Sequence, residues 1–144
     1  MVDRLTALAL TGEPAKQRND AVALLNQAIA SNSWTAAGQL RPVIGEKDAN
    51  TIRKEVFERL RNAAEKLEKI PNNPPVDRAN VELASLVRRW AADAIGAAVG
   101  RNVKPKVISD ARKKVAQGDK KLLEGKAKEA IDKYGDAWVM AVKA

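Results

Sequence analysis

The side chains that most often carry catalysis or bind metals are few in this chain of 144 residues. It contains no cysteine and no histidine, so thiol nucleophiles, zinc–thiolate sites and imidazole ligands are impossible. No serine lies in a Gly-x-Ser-x-Gly or Ser-x-x-Lys motif, and there is neither a glycine-rich phosphate loop nor an aspartate-rich calcium loop. Carboxylates could still act as acid–base pairs, but most of them lie at predicted helix starts or beside lysines. We therefore predict no catalytic residue, no metal site and no cofactor.

Basic side chains form the densest candidate binding group. The net charge is +8, and the part of the chain from Lys104 onward is the most basic. The candidate residues for an anionic partner are Lys104, Lys106, Arg112, Lys113, Lys114, Lys120 and Lys121. On a helix they would form a broad face rather than a narrow stripe. Such a face could bind phosphate, carboxylate or sulfate groups, or it could simply keep the protein soluble.

The three tryptophans are candidate ligand platforms. Trp90 lies within an apolar helical stripe, so we expect it in the core. Trp34 opens a predicted helix and Trp138 lies near the edge of a stripe. We therefore expect Trp34 and Trp138 to be partly exposed, and we take them as candidate aromatic contacts.

Apolar residues recur with the period of a helix through most of the chain, and signals for strands and hairpin turns are absent. The pattern predicts an all-α fold, a compact bundle of about six to seven helices built from antiparallel helical hairpins. The predicted helices cover roughly residues 3–10, 14–30, 34–41, 48–70, 77–99, 105–124 and 127–142. We expect Asp3, Asp48 and Asp77 to cap the first, fourth and fifth helices, and Val43 and Ile44 to pack inward.

A proline-rich connector at residues 71–76 separates a front helical subdomain, 1–70, from a back subdomain, 77–144. A connection this short is common between packed helices, so we expect one compact domain. The back subdomain ends in a helical hairpin that turns at Gly125. Small residues begin the return helix, and Tyr134 fills the space between the two helices further along. Residues 28–44 show a fainter version of the same pattern. It could result from an internal duplication of the hairpin, or from the similarity that any two short helical hairpins share. No apolar stretch approaches the ~20 residues needed to span a bilayer.

Residues 83–142 resemble the helical modules that close many large secreted or surface-anchored proteins of bacteria and archaea. The matching segments are Ala91-Ala92-Asp93-Ala94-Ile95, Ala116-Gln117-Gly118-Asp119, Gly125 and Ala130-Ile131-Asp132-Lys133-Tyr134-Gly135-Asp136-Ala137-Trp138. Residues 15–70 are loosely similar to the FIMAH-type helical domain found beside extracellular hydrolases. The resemblance implies a non-catalytic attachment or spacer role outside the cell, and it carries over no functional residues.

Two functions follow from these observations. We expect a non-catalytic helical interaction or spacer module, not an enzyme, that is secreted or held at the cell surface as part of a larger chain. Its partner would be a protein or an anionic polymer. The alternative is a basic nucleic-acid-binding or assembly protein of the cytoplasm that uses the Lys/Arg-rich segment 104–121.

Overall fold

Helices make up 76% of the chain in the computed structural model, which describes residues 1–144 and contains no strand. The α-helices are α1 (Val2–Thr6), α2 (Gly12–Ile29), α3 (Gly45–Ile52), α4 (Glu58–Glu68), α5 (Pro74–Gly100), α6 (Pro105–Leu123) and α7 (Ala127–Lys143). A π-helical turn, Arg53–Phe57, joins α3 to α4 without a break in helical backbone geometry. The molecule is therefore a bundle of six helical rods, and the predicted all-α class is confirmed.

Residues 30–44 form a loop, although the sequence predicts a third helix from Trp34. Trp34 and Leu40 form an isolated antiparallel bridge, and the Thr35 amide donates to the Gln39 carbonyl at 2.7 Å. Gly38 makes the turn with a φ of +75°, a conformation that favours glycine. Turn chemistry thus overrides a weak helical pattern. The helical hairpin that suggested internal duplication at 28–44 does not form.

The helices begin at residues other than the predicted caps. Helix α3 begins at Gly45, and Asp48 lies inside its first turn, where its carboxylate accepts the Ile44 amide at 2.9 Å. Asn73 caps α5, accepting the Val76 amide at 3.2 Å, so the prediction of Asp77 as the cap is wrong. Helix α5 begins before the predicted start because Pro74 and Pro75 suit the first helical turn. The backbone amides of that turn have no partner within the helix, so proline loses no hydrogen bond there.

Helix α1 is also shorter than predicted. It begins after Met1, makes no side-chain cap with Asp3, and ends at Thr6.

Val43 and Ile44, which the sequence predicts to pack inward, differ in burial. Val43 packs partly buried against the core, whereas Ile44, the last loop residue before α3, is 85% exposed.

One cluster of 25 buried apolar residues forms the core and draws on both sides of the proline-rich connector. Leu60 and Leu67 of α4 contribute to it, as do Leu83 of α5 and Ile131 of α7. Helix α7 is central, since it packs against α3, α4, α5 and α6. None of the helices combines the length and the apolar character needed to cross a membrane.

Helices α6 and α7 approach closely at Gly118. A β-carbon at this position would lie only 2.4 Å from Cε1 of Tyr134, which is completely buried. The Tyr134 hydroxyl donates to Asp119 at 2.6 Å, and Asp119 also pairs with Arg88 of α5 at 2.7 Å. This small network ties the three helices of the back half together.

Candidate functional site

The seven basic residues singled out in the sequence all lie on α6 or at its start, but they do not form one free positive surface. Four of them are paired with carboxylates: Lys106 and Lys113 with Asp110, Lys114 with Asp136, and Lys121 with Glu124 and Glu129. Lys104, Arg112 and Lys120 are exposed and form no ion pair. Acidic side chains from α6 itself, α7 and the turn between them therefore neutralise much of this face.

The tryptophans are placed differently from the prediction. Trp34 is partly buried, as expected, but Trp138 is only 4% exposed, so the expectation that it is exposed is wrong. Its position at the edge of a stripe is covered because α7 is surrounded by other helices. Trp90 is partly exposed rather than enclosed in the core.

An aromatic cluster joins four separate parts of the chain. The Trp34 and Trp90 rings lie 5.6 Å apart in an edge-to-face arrangement. Phe57 contacts Trp90 at 5.6 Å and Trp138 at 4.7 Å between ring centroids. These distances are in the range in which aromatic pairs attract each other. The cluster therefore fixes the loop, the π-helical turn, α5 and α7 relative to one another.

The π-helical turn helps to hold the loop in place. Phe57 ends the turn. Within it, the Glu55 carboxylate accepts a hydrogen bond from the hydroxyl of the fully buried Ser33 at 3.1 Å. Turns of this kind often occur where a helix is adapted to a function, because they rotate the following side chains relative to a regular helix. Here the turn directs Phe57 towards both Trp90 and Trp138.

Arg41 fixes the second half of the loop. Its guanidinium forms two hydrogen bonds with Asp48, one of them at 2.8 Å, and its Nε donates to the Asn32 carbonyl at 3.1 Å. The hydrogen bonds from Arg41 hold the pKa of the Asp48 carboxyl below its usual range. At the other end of the loop, the Trp34 indole donates to the Ala28 carbonyl at 2.7 Å. The loop is thus anchored at both ends.

A cleft of about 960 Å³ opens between this loop, α5 and α7, and we call it the tryptophan cleft. Its lining residues are Trp34, Gly38, Gln39, Leu40, Arg41, Pro42, Val43, Leu86, Arg89, Trp90, Asp93, Ala94, Arg101, Trp138 and Val142. Apolar side chains make up about half of this lining, and the charged residues are three arginines and one aspartate. The cleft combines aromatic rings with guanidinium groups, which are the side chains enriched at binding hot spots.

Side-chain hydrogen-bond donors in the cleft outnumber side-chain acceptors. The indole N–H of the partly exposed Trp90 has no acceptor in the protein, whereas Trp138 is almost fully buried. Arg89 is exposed and unpaired, and Arg101 uses one nitrogen to donate to the Ala141 carbonyl at 3.0 Å. Asp93 is the one carboxylate in the lining. The cleft is therefore suited to a ligand rich in acceptors.

The candidate aromatic contacts Trp34 and Trp138 both line the cleft, whereas Trp90, which was expected in the core, and the three arginines were not predicted to lie there. Arg89 stands directly before Trp90 in the sequence, and that basic–aromatic pair is the only local signal for the cleft. The approach of Trp34 to Trp90 depends on the path of the loop, which the sequence pattern misread as a helix.

A second groove of about 760 Å³ lies where α5 turns into α6. It contains two of the predicted basic residues, Arg112 and Lys113, beside Val99, Val103 and Ile108. This groove has no aromatic side chain, and Lys113 within it is 3.9 Å from Asp110. The tryptophan cleft is therefore the better candidate, because it alone joins exposed aromatic surface to unpaired donors.

Comparison of the chain with known protein families, curated proteins and solved structures finds no match. The resemblance of residues 83–142 to modules of secreted proteins therefore stays a prediction.

Proposed function

We propose that this protein is a non-catalytic helical interaction module that binds a protein partner in the tryptophan cleft. The observation that carries the proposal is the pair Trp34–Trp90, held edge to face and partly exposed beside unpaired arginine donors. Large aromatic side chains buried on binding supply most of the favourable energy in many interfaces. An anchored loop and the packed helices α5 and α7 present this pair without a large ordering cost.

The side chains of the cleft support binding rather than catalysis. Its lining contains no hydroxyl, thiol, imidazole or amine that could act as a nucleophile. Asp93 is its single carboxylate, so no acid–base pair of carboxylates is present in it. Arginine remains protonated at all ordinary pH values and orients ligands rather than transferring protons.

The proposal extends to where the protein works, as part of a larger exported or surface protein. The family resemblance of the back half is what supports this step. Fractionation of source cells, followed by detection with an antibody against the domain, tests it. A band far above 15.6 kDa in the medium or envelope is the expected result. A band at 15.6 kDa in the cytoplasm would contradict it.

Nucleic-acid binding by segment 104–121 is the second candidate. The features in its favour are the unpaired Lys104, Arg112 and Lys120, and the high exposure of Lys106 and Lys113, at 86% and 72% of the side chain. This function requires retention on DNA that falls steeply between about 50 mM and about 200 mM salt, because released counterions drive such binding. Equal retention at both concentrations would exclude it.

Selection from a peptide display library tests the interaction function directly. The library is panned on the wild-type protein and on Arg89→Glu, with Lys120→Glu as the matched control. Both substitutions reverse an exposed, unpaired charge on a helix, but only the first lies in the cleft. We expect peptides that bind the wild type and Lys120→Glu alike and bind Arg89→Glu about tenfold more weakly. Selection of no peptide, or of peptides indifferent to Arg89→Glu, would contradict the proposal.

A further inference from the structure

We infer that the tryptophan cleft takes an extended peptide segment in which an acidic residue stands next to a bulky apolar side chain. This inference rests on the proposed function and specifies the chemistry of the partner. Three properties of the cleft carry it: an apolar lining, a small excess of positive charge, and an indole donor, Trp90, without an acceptor.

The apolar lining calls for an apolar side chain in the ligand. Leu40, Val43 and Leu86 line the cleft together with the partly exposed Trp34 and Trp90. Placing a phenylalanine or leucine side chain there removes apolar surface of both partners from water, which is the main favourable term in such contacts. A nucleic-acid backbone has no group that would use the aliphatic part of this lining.

The charge of the cleft matches one carboxylate rather than a row of phosphates. Arg41 is neutralised by Asp48 through two hydrogen bonds. The remaining charged residues of the lining are Arg89, Arg101 and Asp93, so the cleft has a net excess of one positive charge. A guanidinium can hold a carboxylate with two parallel hydrogen bonds, so one acidic side chain has a defined place to bind.

The Trp90 indole favours a peptide backbone in the ligand. Trp90 lines the cleft, is partly exposed, and its N–H has no acceptor in the protein. A carbonyl group of an extended segment can accept this hydrogen bond while its side chains reach the apolar lining and the arginines. The volume of about 960 Å³ lies at the upper end of the range for ligand sites, which leaves room for several residues.

Intrinsic fluorescence gives a direct test, because all three tryptophans of the chain line the cleft. The probe is a capped synthetic peptide with a phenylalanine beside an aspartate in a serine–glycine background. Two control peptides replace the aspartate by lysine or the phenylalanine by alanine, and a short oligothymidylate serves as the nucleic-acid probe. We expect the first peptide to bind at least about tenfold more tightly than either control peptide, and the oligothymidylate to bind more weakly still.

Protein variants locate the binding site. Arg89→Glu is expected to weaken the aspartate peptide about tenfold, and Lys120→Glu less than about twofold. Asp93→Asn is expected to strengthen the same peptide about threefold, because it removes a like charge from the cleft. That gain cannot result from a loss of folding, so it keeps the test decisive even if Arg89→Glu perturbs the structure.

Two results would overturn the inference. One is equal binding of the aspartate and lysine peptides, and the other is tighter binding of the oligothymidylate than of the aspartate peptide. If display selection nevertheless yields peptides that depend on Arg89, the interaction function stands and only the ligand class is wrong. If display selection yields none, the interaction function itself fails.

Discussion

At the scale of single residues, the contact between Gly118 and Tyr134 makes the sharpest prediction about stability. Gly118→Ala would place a methyl group 2.4 Å from the Tyr134 ring, which is completely buried and cannot move aside without disturbing its neighbours. We expect a loss of about 2 kcal/mol in the free energy of unfolding, even though alanine favours helix by up to about 1 kcal/mol over glycine. Urea denaturation followed by circular dichroism measures this loss.

Gly96 provides the matched control for that substitution. It also lies within a helix, α5, but a β-carbon there would have no neighbour within 4 Å. Gly96→Ala should therefore stabilise the protein by up to about 1 kcal/mol through helix propensity alone. If Gly118→Ala stabilises the protein equally, α6 and α7 do not approach as closely as described.

Two aspartates of the back half should respond differently to loss of charge. The hydrogen bonds from Arg88 hold the pKa of Asp119 below its usual range, whereas burial raises the pKa of Asp132 despite the nearby Arg61. Arg61 Nε lies 3.2 Å from the Asp132 carboxylate but is among the buried atoms without a hydrogen bond, so this contact is a weak ion pair.

Asp119→Asn should therefore destabilise the protein at about pH 7 by roughly 1 kcal/mol, a value that allows for solvent screening of this partly exposed group. Asp132→Asn should change stability by less than about 0.5 kcal/mol. Because the pKa of Asp119 is lowered in the folded state, its contribution is complete above the ordinary value of 3.8 and is lost as the pH falls through the folded pKa. Denaturation curves at about pH 7 and about pH 3 check this, and an Asp119→Asn deficit of the same size at both pH values would contradict it.

At the scale of elements, the start of α5 distinguishes the observed cap from the predicted one. Asn73→Ala removes the hydrogen bond to the Val76 amide and should cost about 1 kcal/mol in the free energy of unfolding. Asp77→Ala leaves the cap intact and should cost no more than about 0.5 kcal/mol through the helix dipole. Thermal unfolding of the two variants ranks them, and the reverse order would restore Asp77 as the cap.

Most of the helices could be predicted from the sequence because their apolar residues repeat with the helical period over several turns. The 30–44 loop could not, since Trp34 and Ala36 fit a helix locally and the bridge from Trp34 to Leu40 depends on a turn at Gly38. The π-helical turn could not be predicted either, because the buried residues Ile52, Val56 and Leu60 around it keep a spacing of four residues, which also fits a regular α-helix.

The candidate site was less predictable than the fold for the same reason. The basic face of α6 is visible in the sequence, but the acids that pair with Lys114 and Lys121 come partly from α7. The cleft joins residues that are far apart in the chain, from Trp34 to Trp138. Only the packing of the loop against α5 brings them together, and periodicity within one element carries no information about that packing.

At the scale of the whole molecule, the shared core predicts that the two sides of the proline-rich connector unfold together. The buried cluster of 25 residues includes side chains from α2 and α4 as well as α5 and α7. We expect one transition, with tryptophan fluorescence and far-ultraviolet circular dichroism coinciding along a urea gradient. Fragments 1–73 and 74–144 should each lack a stable fold. Two separated transitions, or a folded fragment, would show two independent subdomains instead.

The measurement that tests binding in the cleft most directly is a ¹H–¹⁵N nuclear magnetic resonance titration with the aspartate peptide. The indole N–H signal of Trp90 should shift together with the backbone amides of Trp34, of residues 38–41 and of Val43, because these residues line the cleft. The amides of residues 104–121 should stay unchanged. Shifts confined to residues 104–121 would place the binding site on α6 and contradict a recognition role for the tryptophan cleft.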